Sequence, residues 1–184
     1  MKDPRVAQNF GPAEPLEEDP IVMYLIVHTT LNMSVGKLAA QVGHAASLVT
    51  FDYSDLKDDS RRLQGMLSAK ATKLSAGELG TQQRSESYSF VLEGEERDLA
   101  SAKYADMSRK LSIIGEWRGS GYRKVTLAAD DKEWEKVKRD YPNDVMVVDA
   151  GLTEIPTGSE TVIGLWPMRK SQATKTIKRL KVLK

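Results

Sequence analysis

A chain of 184 residues with 40% apolar content and a net charge of +1 is long enough to bury one sizeable core and has the size of a single domain. It contains no cysteine, which excludes disulfide staples, thiolate metal sites and cysteine nucleophiles. Two histidines make no metal site alone, and no apolar run approaches the ~20 residues needed to span a bilayer, so a soluble, unsecreted, cytoplasmic protein is expected.

The opening MKDPRVAQNFGPAEPLEEDP (1–20) has four prolines and a net charge of −3, lacks the basic start and apolar centre of a signal peptide, and reads as a disordered extension. IVMYLIVH is a continuous apolar run that suits a strand buried on both faces. After the turn-like TTLNMSV comes an amphipathic helix whose core stripe is Leu38, Val42, Ala45, Ala46 and Val49, with small residues that permit close packing on a sheet. The region 52–97 carries weaker signals: helical character at first, a loop at AGELGTQQ, a short strand at YSFVL. DLASAKYADMSRKLSIIGEW predicts a helix with Asp98 as N-cap and an end near Gly115. YRKVTLA reads as a strand, and Asp130 with Glu133 forms a capping-box pattern opening the helix of DDKEWEKVKRD. NDVMVVDAG and TVIGLW are two further strands, and SQATKTIKRL is a short basic helix before a closing KVLK. Alternating strands and helices predict an α/β protein with a mostly parallel sheet covered on both faces. In such sheets ligands collect at strand carboxyl ends, which singles out the segments HTTLNMSVGK and DAGLTEIPTGS.

The first of these segments leads into GKLAAQVGHAA, where Lys37, Gln41 and His44 share a helix face at i, i+4 and i+7. A phosphate-loop motif fails here, because Leu31 stands where its first glycine belongs and Leu38 where Ser or Thr should follow the lysine. A helix N-terminus bearing Gly36 and Lys37 still favours a negatively charged group, although a solvated lysine is an alternative. In the second segment Asp149 ends a strand, Gly151 permits a turn that other residues resist, and Thr153, Thr157, Ser159 and Thr161 supply hydroxyls. Asp149 could simply cap the turn; beside a lysine it could instead place a water, with hydroxyls and backbone N–H groups steadying an oxyanion. Charge is uneven along the chain: residues 169–184 hold seven basic and no acidic side chains, a patch that attracts polyanions or merely aids solubility.

The segments LNMSVGKLAAQVGHAA and VVDAGLTEIPTGSETVIGLWP resemble the archaeal and eukaryotic-type, second class of peptidyl-tRNA hydrolase, as does EWRGSGYRKVTLAADDKEWEKV. The resemblance covers roughly residues 21–51 and 110–168. It implies a three-layer α/β/α sandwich around a mixed sheet of about four strands, a domain over 21–184, and metal-independent hydrolysis of the ester in peptidyl-tRNA with no cofactor. Carried over by position, Lys37 would polarise the ester or hold a phosphate and Asp149 would place the water. Thr153, Thr161 and the Gly151 backbone would orient that water or the oxyanion. Gly36, Gln41, His44 and Ala150 would line the substrate site, with His44 alternatively packing the helix, and Lys175, Lys178 and Arg179 would follow the tRNA backbone.

Three departures stand out, the first being that the family joins its first two helices briefly, whereas this chain inserts roughly 45 extra residues around 53–97. The family's arginine-x-aspartate after the first strand is replaced by His28, Thr29 and Thr30, which removes a charged pair. Leu152 and Glu154 stand where some members carry arginine and glutamine. Two other classes of function stay open: a binding or regulatory protein on the same fold, and a hydrolase or nuclease with a different RNA-linked substrate. The sequence also leaves the oligomeric state open, a homodimer included.

Overall fold

A computed structural model describes residues 18–68, 92 and 94–184. The segments AGELGTQQ and most of YSFVL, and nearly all of the expected N-terminal extension, lie outside the described residues. The chain divides into two units, Met1–Phe51 with Ile113–Lys184, and Asp52–Ser112.

In the first unit the apolar run forms strand β1 (Ile21–His28), all of it buried except His28. The helix α1 (Val35–Ser68) follows, after a 3-10 turn at Thr29–Leu31. Helix α2 (Gly94–Gly119) leads to strand β2 (Lys124–Ala129), and helix α3 (Asp131–Asp140) opens with the expected capping box, Asp130 accepting from the Glu133 N–H. Then come β3 (Val145–Val148), β4 (Glu160–Gly164) and β5 (Met168–Arg169), the short helix α4 (Lys175–Arg179), and β6 (Lys181–Val182).

The sheet order is β3-β4-β1-β2-β6, with β5 pairing to the start of β1. This is an α/β fold on a mixed sheet, as expected, but with six strands among the described residues rather than about four. Among those strands β1 and β2 pair in parallel, whereas β1–β4, β1–β5, β3–β4 and β2–β6 are antiparallel. The reason is local: β4, β5 and β6 return through loops or a single short helix, and only a long crossover can bring a strand back parallel to its predecessor. Since β4 runs against both β1 and β3, those two strands share a direction, and their carboxyl ends emerge at the same edge of the sheet.

Alternation along β1 sorts the core. Ile21, Met23, Leu25 and Val27 pack with Ala45 and Val49 of α1 and Trp117 of α2. Val22, Tyr24 and Ile26 pack with Trp134 and Val137 of α3 and Ile177 of α4. The predicted α1 stripe is therefore the buried one, and its small residues matter: a Cβ on Gly164 would meet the Ala45 backbone at 3.2 Å. Asp19 and Pro20, expected to be part of the loose extension, are tied down. The Asp19 carboxylate accepts from the Ser171 N–H and hydroxyl, each at 2.7 Å, and Pro20 C=O accepts from the Lys170 N–H at 2.9 Å.

In the second unit, residues 52–68 continue α1 without interruption, in keeping with the absence of proline from that stretch, and residues 94–112 begin α2. Helix α2 starts a turn earlier than expected: Asp98 lies inside it, and Glu95 and Glu96 occupy its first turn, where carboxylates complement the helix dipole. Ser60, Ala100 and Met107 are buried, and Arg97 donates to the Leu67 carbonyl at 3.4 Å. Among the described residues no helix is long and apolar enough to cross a membrane.

Candidate active site

The shared direction of β1 and β3 brings the two segments singled out in the sequence side by side. The Lys37 ammonium lies 2.5 Å from Asp149 Oδ2, both side chains largely buried. Gln41, one turn along α1, donates its amide N–H to the same oxygen at 2.6 Å, and the Gly151 N–H donates to Oδ1 at 2.7 Å. The Lys37 hydrogen bond and then the Gly151 N–H hold the Asp149 carboxyl below the usual carboxylate range, because each stabilises the charged form. Two partners on Oδ2 and one on Oδ1 leave acceptor capacity on Oδ1.

Thr161 sits beneath this set, fully buried. Its hydroxyl lies 3.1 Å from both Gln41 Oε1 and the Val147 carbonyl, which fixes the Gln41 amide with its N–H side toward Asp149. A bulge makes that position. Val147 pairs with Val162, but Val148 pairs with Glu160, so Thr161 is the extra residue on β4. Such a bulge re-aims side chains at a strand end: Thr161 turns toward α1 and Glu160 toward α3, where its carboxylate accepts from Trp134 Nε1 at 3.1 Å and from Lys138 at 2.7 Å.

The loop after β3 closes on itself. Asp149 N–H donates to the Ser159 carbonyl and Gly158 N–H to the Asp149 carbonyl, at 2.9 and 2.8 Å. Gly151 has φ +74°, and a Cβ there would collide with the Thr157 hydroxyl and backbone, so no other residue fits this turn. Glu154 then reaches across to the start of α1, accepting from the Ser34 N–H at 2.8 Å and its hydroxyl at 2.6 Å. These Ser34 bonds lower the Glu154 pKa, with the Lys37 charge contributing further. Ser34 in turn accepts from the Lys37 N–H at 3.3 Å. Glu154, marked in the sequence only as a departure from the family's pattern, is the strap between the two loops.

A cleft of about 600 Å3 opens over the pair, lined by Lys37, Gln41 and His44 of α1 and by Val148, Asp149 and Ala150 among others. Of the expected site residues, Lys37, Gln41, His44, Asp149 and Ala150 therefore share one cleft, with His44 exposed on its wall rather than packed in the core. Gly36 is exposed in the first turn of α1. The Gly151 N–H donates to Asp149, and the Thr161 hydroxyl lies fully buried beneath Gln41. Thr153 is exposed and does not line the cleft. Lys175, Lys178 and Arg179 stand on α4, across the sheet from α1, and Lys178 donates to the Ser171 carbonyl at 2.7 Å.

The position that lost the expected charged pair is also filled. His28 Nε2 lies 2.8 Å from Asp131 Oδ1 and its Nδ1 3.2 Å from the Glu160 carbonyl, with the ring stacked on Trp134 at 4.5 Å. The pairing partner thus comes from α3 rather than from the loop itself.

Residues 21–183 match the family described as peptidyl-tRNA hydrolase PTH2. The chain belongs to that family. Among curated relatives, it is 34% identical over 77 residues to a peptidyl-tRNA hydrolase of Methanococcus vannielii and 34% identical over 76 residues to one of Methanopyrus kandleri. Each match covers 39% of this chain and 66% of the relative. A probable peptidyl-tRNA hydrolase 2 of Dictyostelium discoideum is 33% identical over 75 residues, 38% of this chain and 36% of that protein. The matched segments thus span from about a third to just under two thirds of these PTH2 relatives' length.

Proposed function

We propose that this protein hydrolyses the ester joining peptide to tRNA in peptidyl-tRNA, releasing the peptide and free tRNA in the translating cytoplasm. The observation that carries the reading is the Lys37–Asp149 pair at the wall of an open cleft, in a chain that belongs to a family named for that reaction. Relatives that carry the name peptidyl-tRNA hydrolase in their own right support it further.

In this reading the free acceptor site on Asp149 Oδ1 holds a water against the ester carbonyl. Water oxygen adds to the carbonyl carbon, the bond to the ribose oxygen breaks, and the ribose oxygen leaves as a hydroxyl with a proton that began on the water. A carboxylate with a lowered pKa is a weak base, so its contribution is placement of the water more than proton abstraction. Lys37 supplies positive charge where the oxyanion develops. Gln41 and Thr161 are positioning residues: they fix the carboxylate, Gln41 from the cleft wall and Thr161 from beneath it. Every step is assigned to side chains and water. Exposed Lys175, Lys178 and Arg179 would meet tRNA phosphates away from the reacting bond.

The test is release of the acyl group from N-acetylaminoacyl-tRNA by the purified full chain. Release at a rate well above the uncatalysed one is expected. Binding of the tRNA without release would replace this reading with that of a tRNA-binding protein on the hydrolase fold. For the basic helix, neutralising Lys175, Lys178 and Arg179 together should flatten the salt dependence of tRNA binding.

A further inference from the structure

Beyond the Lys37–Asp149 pair, the same cleft continues along α1 with a different chemistry. Lys37, Gln41, His44, Leu48 and Phe51 follow one another at helical spacing on its wall, opposite Met146, Val147 and Val148 of β3. Past Lys37 and Asp149 the lining holds, among the described residues, no Lys, Arg, Asp or Glu. It holds instead large apolar side chains left open to solvent: Leu48 is 40% exposed, Phe51 65%, Val148 56% and Leu152 87%. Apolar residues gathered in one cleft, rather than scattered singly, mark a surface built to be covered.

Length selects what covers it. At 1.5 Å per residue, Leu48 lies about 16 Å and Phe51 about 21 Å along α1 from Lys37. A single amino-acid side chain on the reacting carbonyl cannot reach that far, whereas an extended peptide advances ~3.3 Å per residue and covers the distance with five or six residues. Charge selects against the other half of the substrate. Nucleotides beyond the terminal ribose bring a phosphate each, and phosphates seek cations, of which the described lining here offers none. The remaining wall suits a peptide as well: β3 is the last strand of the sheet and, among the described residues, is paired on one side only, to β4. An unpaired strand edge offers backbone N–H and C=O groups to an extended chain, the alternate side chains of which drop into adjoining apolar pockets.

Resting on the proposed function, we propose that the groove between α1 and the edge strand β3 binds the last five or six residues of the peptide in extended form, with a preference for apolar side chains read by Leu48, Phe51, Val148 and Leu152. Lys37 and Asp149 then hold the ester at one end of the groove, and the tRNA leaves from the opposite side. This makes the groove a specificity site, separate from the reacting groups and built from residues that the chemistry does not use.

The experiment compares two N-acetyl-hexapeptidyl-tRNAs with the same tRNA and the same esterified amino acid, one peptide rich in Leu and Phe and the other in Gly and Ser. The full-length wild type is expected to favour the apolar peptide about tenfold in kcat/KM, mostly through KM, since one such factor needs only ~50 Å2 of extra apolar burial. In the Leu48→Ser/Phe51→Ser variant, where two exposed side chains are shortened and the fold should be kept, the preference should fall to within about twofold. Equal kcat/KM for the two peptides in the wild type, or a preference that survives in the variant, overturns the proposal. Anisotropy of the same two hexapeptides, free and fluorescein-labelled, reads the groove without turnover. Tighter binding of the apolar peptide, lost in the variant, together with no hydrolysis of any ester, would sink the proposed reaction and keep the groove. Hydrolysis of N-acetylaminoacyl-tRNA with no difference between the hexapeptides would do the reverse.

Discussion

Two polar clusters flank the carboxyl end of β1, one on each face of the sheet. Toward α1 lie Lys37, Gln41, Asp149 and Thr161; toward α3 lie His28, Asp131, Trp134, Lys138 and Glu160. Their ingredients are alike: a cation, a carboxylate, hydrogen-bond donors and a ring or amide that orients them. They differ in what they face. In the α3-side cluster the His28 ring is roofed by Trp134 and both its nitrogens face acceptors, and the Glu160 carboxylate is held by Lys138 and Trp134. In the α1-side cluster the carboxylate keeps an open acceptor position and the ammonium faces a cleft. The comparison teaches that charge pairing alone does not make a site. Acceptor positions stay open on both faces, since Trp134 and Lys138 both bond Glu160 Oε2; what distinguishes the α1-side pair is a cleft in which a substrate can reach it.

Breaking the open cluster should give the largest effect. Lys37→Ala or Asp149→Asn is expected to lower kcat for ester hydrolysis by about 100-fold or more, with the far-UV circular dichroism unchanged. Thr161→Val removes only the hydroxyl that orients Gln41. A drop of roughly tenfold in kcat with KM nearly constant is expected, since the residue positions the carboxylate without meeting substrate, along with ~1 to 2 kcal/mol of stability in urea unfolding for the lost buried hydrogen bonds. On the α3 side the ranking reverses. His28→Leu should cost about 1 to 2 kcal/mol in urea unfolding, from the lost stack and hydrogen bonds, while kcat stays within about twofold. A large loss of kcat in that variant would make the two clusters equivalent and the contrast between them empty.

The smallest effect concerns acid. The Asp149 and Glu154 carboxyls are both held below their ordinary range by hydrogen bonds and by Lys37. Groups with a folded pKa lower than the unfolded one stabilise the protein above the unfolded value, and that contribution disappears as pH falls through the folded value. Neutral solutions down to about pH 5 should therefore show no loss of kcat from protonation of Asp149. Glu154→Gln should make acid unfolding shallower below that point, with hydrolysis at neutral pH reduced by no more than a few-fold.

Much of this was legible in the sequence because it rests on period and punctuation. The buried run of β1, the apolar stripe of α1, the capping box of Asp130 and Glu133, and the turn at Gly151 each follow from local chemistry, and they locate both loops of the site. What the sequence hid are non-local choices. Nothing in YRKVTLA or TVIGLW states which neighbour a strand will pair with, so the antiparallel majority of the sheet was not visible. The bulge on β4 was hidden too, because Glu160 and Thr161 are simply adjacent polar residues until Val148 skips one of them. Glu154 read only as a replacement for a residue that some family members carry, since its partner Ser34 is 120 residues away. The same holds for His28, which seemed to have lost a charged neighbour that α3 in fact provides through Asp131.

The most direct measurement is a double-mutant cycle on kcat/KM for N-acetylaminoacyl-tRNA, using Lys37→Ala, Asp149→Ala and the combination. If the ammonium and the carboxylate act as one unit, either single change should remove nearly all the rate, and the double variant should be little worse than the singles. Losses that multiply independently, or hydrolysis that persists in the double variant, would mean that the pair joining α1 to the loop after β3 is not the reacting centre.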